Sequence, residues 1–349
     1  KSRIRYRILD SLTFYIALVW QLLFFQKQDL VVSFTSPPLI GAFGNLFCWL
    51  KGGRSVQWLM DINPDAAFQV GYLNRKSILG RGLNWILEHT LKHANEVVVL
   101  DRWMKHKAIE HGVSKDRAII VPPWAVFKEN DPGVEKEIED FKREHQLENK
   151  FIVLYSGNHS VVHPLDTLLG AAKELKNNDE VVFLFIGAGL RTKDVAQYKK
   201  ENQLTNIIQL PLQPREKVKA SFGSANLHCV VMGPGMSGLV HTSKIYSVLS
   251  SGKPFVFVGP ERSHVGDLIR INKVGTIVES GESHRLVEII LETQRLTPRA
   301  LQDIRAQSHA VIRNYSPAIN LGSFYQTVIQ VEEPAVDEAV FPVVPNAPL

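Results

Sequence analysis

The chain has 349 residues, 45% hydrophobic and 21% charged. This is ordinary globular composition, which excludes a mainly disordered protein and points to two α/β domains of roughly 120 to 180 residues each. Two cysteines, Cys48 and Cys229, lie far apart in apolar or strand-like contexts, which excludes a disulfide framework or a Cys-rich metal site and suits a reducing cytoplasm.

Net charge is only +5, yet Lys1, Arg3, Arg5 and Arg7 gather four cations in the first seven residues. An apolar stretch, Ile8 to Phe25, follows, broken by Asp10, Ser11, Thr13 and Gln21, which a bilayer span tolerates poorly. Leu12, Tyr15, Ile16, Val19, Leu22 and Leu23 recur at three- and four-residue steps and predict one amphipathic helix. Three readings stand in order: a plain domain helix, one that also touches anionic lipid on the inner face of the plasma membrane, and last a true span. No small-residue cleavage site follows, so no secretory signal is expected.

The first half then alternates β-branched runs with helical patterns, the signature of a mainly parallel sheet covered by helices. Strands are predicted at Leu30 to Phe34, Ser55 to Met60, Glu96 to Leu100 and Ala118 to Val121, with helices near Leu39 to Lys51, Ser77 to Ala94 and Arg102 to His111. The charged stretch 128–150, with Asp131-Pro132-Gly133, reads as an inter-domain connection. Six further strands are predicted near Phe151 to Tyr155, Val181 to Ile186, Asn206 to Leu210, Leu227 to Val231, Pro254 to Val258 and Gly275 to Val278. Two Rossmann-like domains facing a cleft are thus expected, over 1–127 and 151–315. A segment at 316–330 is read as returning to the first domain, and 331–349 as a disordered tail.

In open α/β sheets the ligand lies beyond the carboxyl ends of the strands. After the first strand of the second half come Gly157 and Asn158, then His163 near a helix start. Gly157 permits close backbone approach, and a helix N-terminus offers free N–H groups to phosphate. A tight turn with a capping histidine is the plain structural alternative. Gly187 and Gly189 end the next strand and are expected to leave room for a base or ribose. Gly233, Gly235, Ser237 and Gly238 lie between a buried strand and the helix carrying Ser243 and Lys244, a loop suited to cradling a diphosphate. Lys244 would neutralise charge on the leaving nucleotide. No Walker or GxGxxG fingerprint occurs, and the histidines form no HExxH, so no metal site and no obligatory cofactor are expected. No nucleic-acid partner is expected either.

These landmarks have an ordered counterpart. Thr35-Ser36-Pro37-Pro38, Asp61-Ile62-Asn63-Pro64-Asp65, Tyr155-Ser156-Gly157-Asn158, Gln213-Pro214-Arg215-Glu216-Lys217 and Ser243-Lys244-Ile245-Tyr246 before Gly252-Lys253-Pro254 resemble the retaining GT-B glycosyltransferases of family four, especially those that assemble bacterial surface polysaccharides. The resemblance covers most of the chain and implies a UDP-sugar donor held by the second domain, with Gln213 among its contacts. It implies a glycan or lipid-linked acceptor on the first domain, near Ser36, Pro37, Asp61 and Asp65. Asn158 and His163 occupy places where many relatives carry Arg and Lys on the diphosphate. Asp61 is expected to orient or deprotonate the acceptor hydroxyl, its plain alternative being a helix N-cap or turn carboxylate. The opening strand and Gly-rich turn usual in such first domains are absent from this sequence, so the N-terminal domain is read as incomplete at its start. A non-catalytic sugar-nucleotide-binding subunit is the rival reading.

Overall fold

The structure, a computed structural model, describes residues 2–124 and 133–330, with side chains from residue 13 onward. The cationic side chains of Lys1, Arg3, Arg5 and Arg7, the Asp131-Pro132 turn and the 331–349 tail lie outside the described residues.

Up to Trp124 the order is α1 (Ser2–Phe24), β1 (Leu30–Phe34), α2 (Ile40–Lys51), β2 (Arg54–Trp58), α3 (Asp65–Gln69), α4 (Ile78–His93), β3 (Glu96–Val99), α5 (Arg102–Glu110) and β4 (Ala118–Ile120). The four strands form one parallel sheet in the order β1-β2-β3-β4. Among the described residues β1 pairs with β2 alone and is an edge. Strand β2 stops at Trp58, short of the expected Met60, because the chain turns there: the N–H groups of Met60 and Asp61 donate to Thr35 Oγ1 at 3.1 and 3.3 Å. That turn ties the ends of β1 and β2 together.

The second sheet is built from α6 (Val134–Glu144), β5 (Phe151–Ser156), α7 (Asp166–Glu174), β6 (Val181–Ile186), α8 (Thr192–Glu201), β7 (Ile207–Leu210), α9 (Val218–Gly223), β8 (Leu227–Val231), α10 (Lys244–Ser251), β9 (Phe255–Val258), α11 (His264–Asn272), β10 (Thr276–Val278) and α12 (Ser283–Gln294). Its order is β10-β9-β8-β5-β6-β7, all parallel. Strand β6, between β5 and the edge strand β7, is buried along its whole length, as a parallel strand covered by helices on both faces must be. Helix α6 lies in the stretch read as a connection, yet its Phe141 is buried with Leu147, Ile152 and Leu154 against the second sheet.

Helices α13 (Pro298–Ile312) and α14 (Pro317–Phe324) complete the described chain. Phe324 stacks on Trp58 of β2 with ring centroids 4.7 Å apart, and Arg54 donates to the Val328 carbonyl at 2.8 Å. One hydrophobic cluster runs through both sheets, joining Val56, Val98 and Met104 to Met236, Leu239, Val240 and Phe257. The expected pair of parallel α/β sheets is therefore what forms.

Candidate functional site at the meeting of the two sheets

The second sheet reverses its order between β5 and β8. The chain runs outward in opposite directions from these two neighbours, so a crevice opens beyond their carboxyl ends. The loops after them touch: Gly233 N–H donates to the Val162 carbonyl at 2.8 Å.

The glycines expected to line a ligand have closer tasks. A Cβ on Gly187 would lie 1.9 Å from the Gly157 carbonyl oxygen, and one on Gly189 would lie 2.2 Å from that of His159. Both have positive φ, so these positions need glycine to let two loops nest. Gly235 and Gly238, also at positive φ, face the first domain: their Cβ positions fall 2.1 Å from Gln69 Nε2 and 2.6 Å from the Trp103 carbonyl. The Gly-rich loop is thus the part of the second domain seated most closely on the first.

His163 neither caps a helix nor carries charge. Helix α7 starts at Asp166 with no side-chain cap, and burial pulls the His163 imidazole below its ordinary pKa. The α7 N-terminus already holds a carboxylate, Asp166, engaged by Arg191 at 3.0 and 3.2 Å. Asn158 is exposed beside Gly189, with Oδ1 2.5 Å from the position of a Cβ there. Gln213 folds onto the Pro211 carbonyl at 2.9 Å.

The start of α10 carries an exposed polar pair. Like the starts of α7, α8 and α12 it has no side-chain cap, but here Ser243 and Lys244 are exposed side by side, and the Thr242 hydroxyl is buried with no partner. Partial desolvation lowers the Lys244 pKa. A hydroxyl beside an ammonium suits an anion.

Asp61 faces this loop from the first domain. It forms an antiparallel bridge with Val240, and the neighbouring Ile62 N–H donates to the Leu239 carbonyl at 2.8 Å. Burial lifts the Asp61 carboxyl to about 6, against the opposing pull of His241, whose backbone N–H it accepts. It is not a helix cap, since α3 begins at Asp65. Asp61 also lines a pocket with Phe34, Thr35, Pro38, Gln57 and Asn63. Ser36 is exposed and Pro37 half-buried on the loop beside it, joined by a cis peptide. Asp65 is turned elsewhere: it is bonded to the buried His111 and to Arg75. Burial alone would raise its pKa, but those bonds hold it below the ordinary value.

Sequence reasoning missed the polar cluster behind this loop. Asp101 Oδ2 accepts from His241 Nδ1 at 2.7 Å, and His241 Nε2 meets the Tyr246 hydroxyl at 3.0 Å. His264 stacks on His241 with centroids 3.8 Å apart and an interplanar angle of 20°. Burial would raise Asp101, but His241 and His264 bring it to about 2. Burial drops His264 to about 3, so its ring is neutral. Asp101, His241 and His264 bring ligand-type atoms within 4.8 Å of one another. In stacked rings, however, the in-plane lone pairs run side by side rather than converging, so the arrangement suits a hydrogen-bond relay better than a metal cage. A second clasp spans the domains: Arg102 donates twice to Asp267, at 2.6 and 2.8 Å, and Trp103 Nε1 donates to it at 2.8 Å. The only signal for either cluster was the pairing of strand-end loops from different sheets.

No protein-family model matches the chain. It is 26% identical over 245 residues to WcaI of Escherichia coli, named as a colanic acid biosynthesis glycosyl transferase, covering 66% of this chain and 59% of that protein. It is 24% identical over 300 residues to the Pseudomonas aeruginosa protein WbjE, named as a glycosyltransferase, covering 86% of this chain and 74% of WbjE. Among solved structures, Anabaena HepE in complex with UDP superposes with a TM-score of 0.70 at 14% identity, covering 86% of this chain and 78% of HepE. WaaG, a glycosyltransferase involved in lipopolysaccharide biosynthesis, superposes with a TM-score of 0.62 at 14% identity, covering 80% and 78%. Two parallel sheets of four and six strands, joined in one hydrophobic cluster and shared with HepE and WaaG, give the chain the GT-B fold.

Proposed function

We propose that the chain is a glycosyltransferase that moves a sugar from a UDP-sugar donor to a glycan or lipid-linked acceptor, with retention of configuration, in surface-polysaccharide assembly. One observation carries this reading: the start of α10, with Ser243 and the partly desolvated Lys244, lies beside the β5/β8 crevice and across from Asp61. The similarity to WcaI and WbjE and the UDP bound to HepE favour the same chemistry.

In this reading the exposed Ser243 hydroxyl and the Lys244 ammonium take the donor diphosphate, and they stabilise the charge that grows on it as the glycosidic bond breaks. Asp61 orients the acceptor hydroxyl from the first-domain pocket. A carboxyl near 6 is ionised in most molecules at neutral pH and is basic enough to accept a proton there. Ser36 and Pro37 border the acceptor path, and Asn158 and the loop from Gly233 to Gly238 border the donor. Burial keeps His163 neutral, so it takes part without charge.

The first domain also presents an apolar outer face. Ile16, Trp20, Leu23 and Phe24 on α1 and Trp49 and Leu50 on α2 are exposed, and the cationic start of α1 precedes them in sequence. Peripheral contact with an anionic bilayer, where a lipid-linked acceptor resides, fits this composition. Among the described residues no helix is long and apolar enough to cross a membrane.

The experiment is a panel of nucleotide sugars offered with lipid-linked acceptors, measuring released nucleotide and glycosylated product. Transfer from a UDP-sugar, lost in Asp61→Asn with UDP binding kept, is the expected result. UDP binding with no product under any donor and acceptor pair would favour a non-catalytic binding subunit.

A further inference from the structure

The imidazole of His241 holds groups from both domains at once. Its Nδ1 donates to Asp101, the N-cap of α5 in the first domain, at 2.7 Å. Its Nε2 meets the hydroxyl of Tyr246, in the first turn of α10, at 3.0 Å. With Nδ1 turned to the carboxylate, Nε2 and the tyrosine hydroxyl complete the link on the other side of the ring. The two outward links fix the ring, and the stacked His264 closes one face.

The consequence falls on the residues between. Ser243 N–H donates to the His241 carbonyl at 2.9 Å, and Tyr246 N–H donates to the Ser243 carbonyl at 3.2 Å. Lys244 thus sits in a short turn pinned at both ends by one side-chain bridge. The usual device that orients a helix start, a side-chain cap, is missing here, and Lys244 has no ion-pair partner recorded among the described residues. The His241 bridge holds the backbone from which the Lys244 side chain extends, and that bridge is anchored on Asp101.

We infer that Asp101 and His241 are positioning residues through which the first domain sets the placement of Ser243 and Lys244 at the diphosphate site of the second. The inference rests on the function proposed above. It assigns to the acceptor-side domain a direct hold on donor affinity: when the sheets separate, His241 loses its carboxylate, the α10 start loosens, and the nucleotide is released. The bond between the Asp61 carboxylate and the His241 backbone N–H adds a second attachment at the same residue.

The test is a double-mutant cycle read by UDP affinity in the intact chain, using calorimetry, with melting curves to establish folding. His241→Leu removes both links. His241→Asn keeps an N–H donor near the Nδ1 position, where it can still reach Asp101. Lys244→Ala removes the positioned group. His241→Leu and Lys244→Ala are each expected to weaken UDP binding by on the order of tenfold. The double variant should be weakened by the same factor rather than about a hundredfold, because each removes one unit of the same contact. His241→Asn, which keeps the link to Asp101 and loses the one to Tyr246, should recover only part of that loss and bind UDP about threefold more weakly than wild type, as should Tyr246→Phe.

If His241→Leu does not fold, Tyr246→Phe serves in the same cycle, since it removes one hydroxyl and keeps the ring. Multiplying losses, or no loss in the His241 or Tyr246 variant, would overturn the positioning role while leaving the proposed function standing. Absence of UDP binding in the wild type would overturn both.

Discussion

Replacing Asp61 by Asn should make the protein more stable at neutral pH while abolishing transfer. The carboxyl ordinarily ionises near 3.8 and is lifted to about 6 in the folded chain by burial. Between those values the unfolded chain has released a proton that the folded chain keeps, so rising pH favours unfolding. The penalty grows from pH 3.8 and levels off above 6. Its full size is about 3 kcal/mol, taking about 1.4 kcal/mol for each pH unit of displacement. Asn preserves the shape and an oxygen to accept the His241 N–H, and removes only the charge. Urea melts of wild type and Asp61→Asn at pH 7.5, 6.0 and 4.5 should therefore differ by about 2 to 3 kcal/mol at the highest pH, with the gap closing as pH falls. Equal stability at pH 7.5, or a gap that does not shrink toward pH 4.5, would refute the reasoning. Stability lost rather than gained would show that the charge is needed to hold the loop at Val240 and His241.

Three further outcomes test other parts of the structure. Asp267→Asn should cost about 2 kcal/mol, because it strips charge from a buried group that takes three hydrogen bonds from Arg102 and Trp103 and one from Arg270; the check is urea stability at two salt concentrations, with the wild-type advantage smaller at the higher one. Gly238→Ala should destabilise by at least about 1 kcal/mol and weaken UDP binding, since its φ is +75° and the new methyl meets the Trp103 carbonyl; calorimetry and melting curves measure both effects. Wild type should sediment with anionic vesicles at low salt and be released as salt rises, and Trp20→Glu with Trp49→Glu should weaken that binding.

The elements were legible because each rests on a local pattern. Apolar β-branched runs such as Val181 to Ile186 marked strands, and three- and four-residue apolar steps marked helices. Strand-end logic also placed Asp61 and Lys244 in neighbouring loops. What did not follow was which glycine faces what. A glycine that admits a ligand and one that admits another loop look alike in sequence, and Gly187, Gly189, Gly235 and Gly238 proved to meet protein. The charge of His163 was equally hidden, because burial decides it. The Asp101–His241 and Arg102–Asp267 pairs join residues 140 and 165 positions apart, and no local periodicity reports contacts between two sheets.

The stacking of Phe324 on Trp58 bears on how the molecule moves. It makes α14, the last α-helix among the described residues, part of the first domain's body. Between Ile312 and Pro317 the polypeptide therefore returns from the second sheet to the first. A cleft that opens with this ring pair still stacked carries α14 along with the first sheet, and reclosure brings Gly238 back to Trp103 and His241 to Asp101.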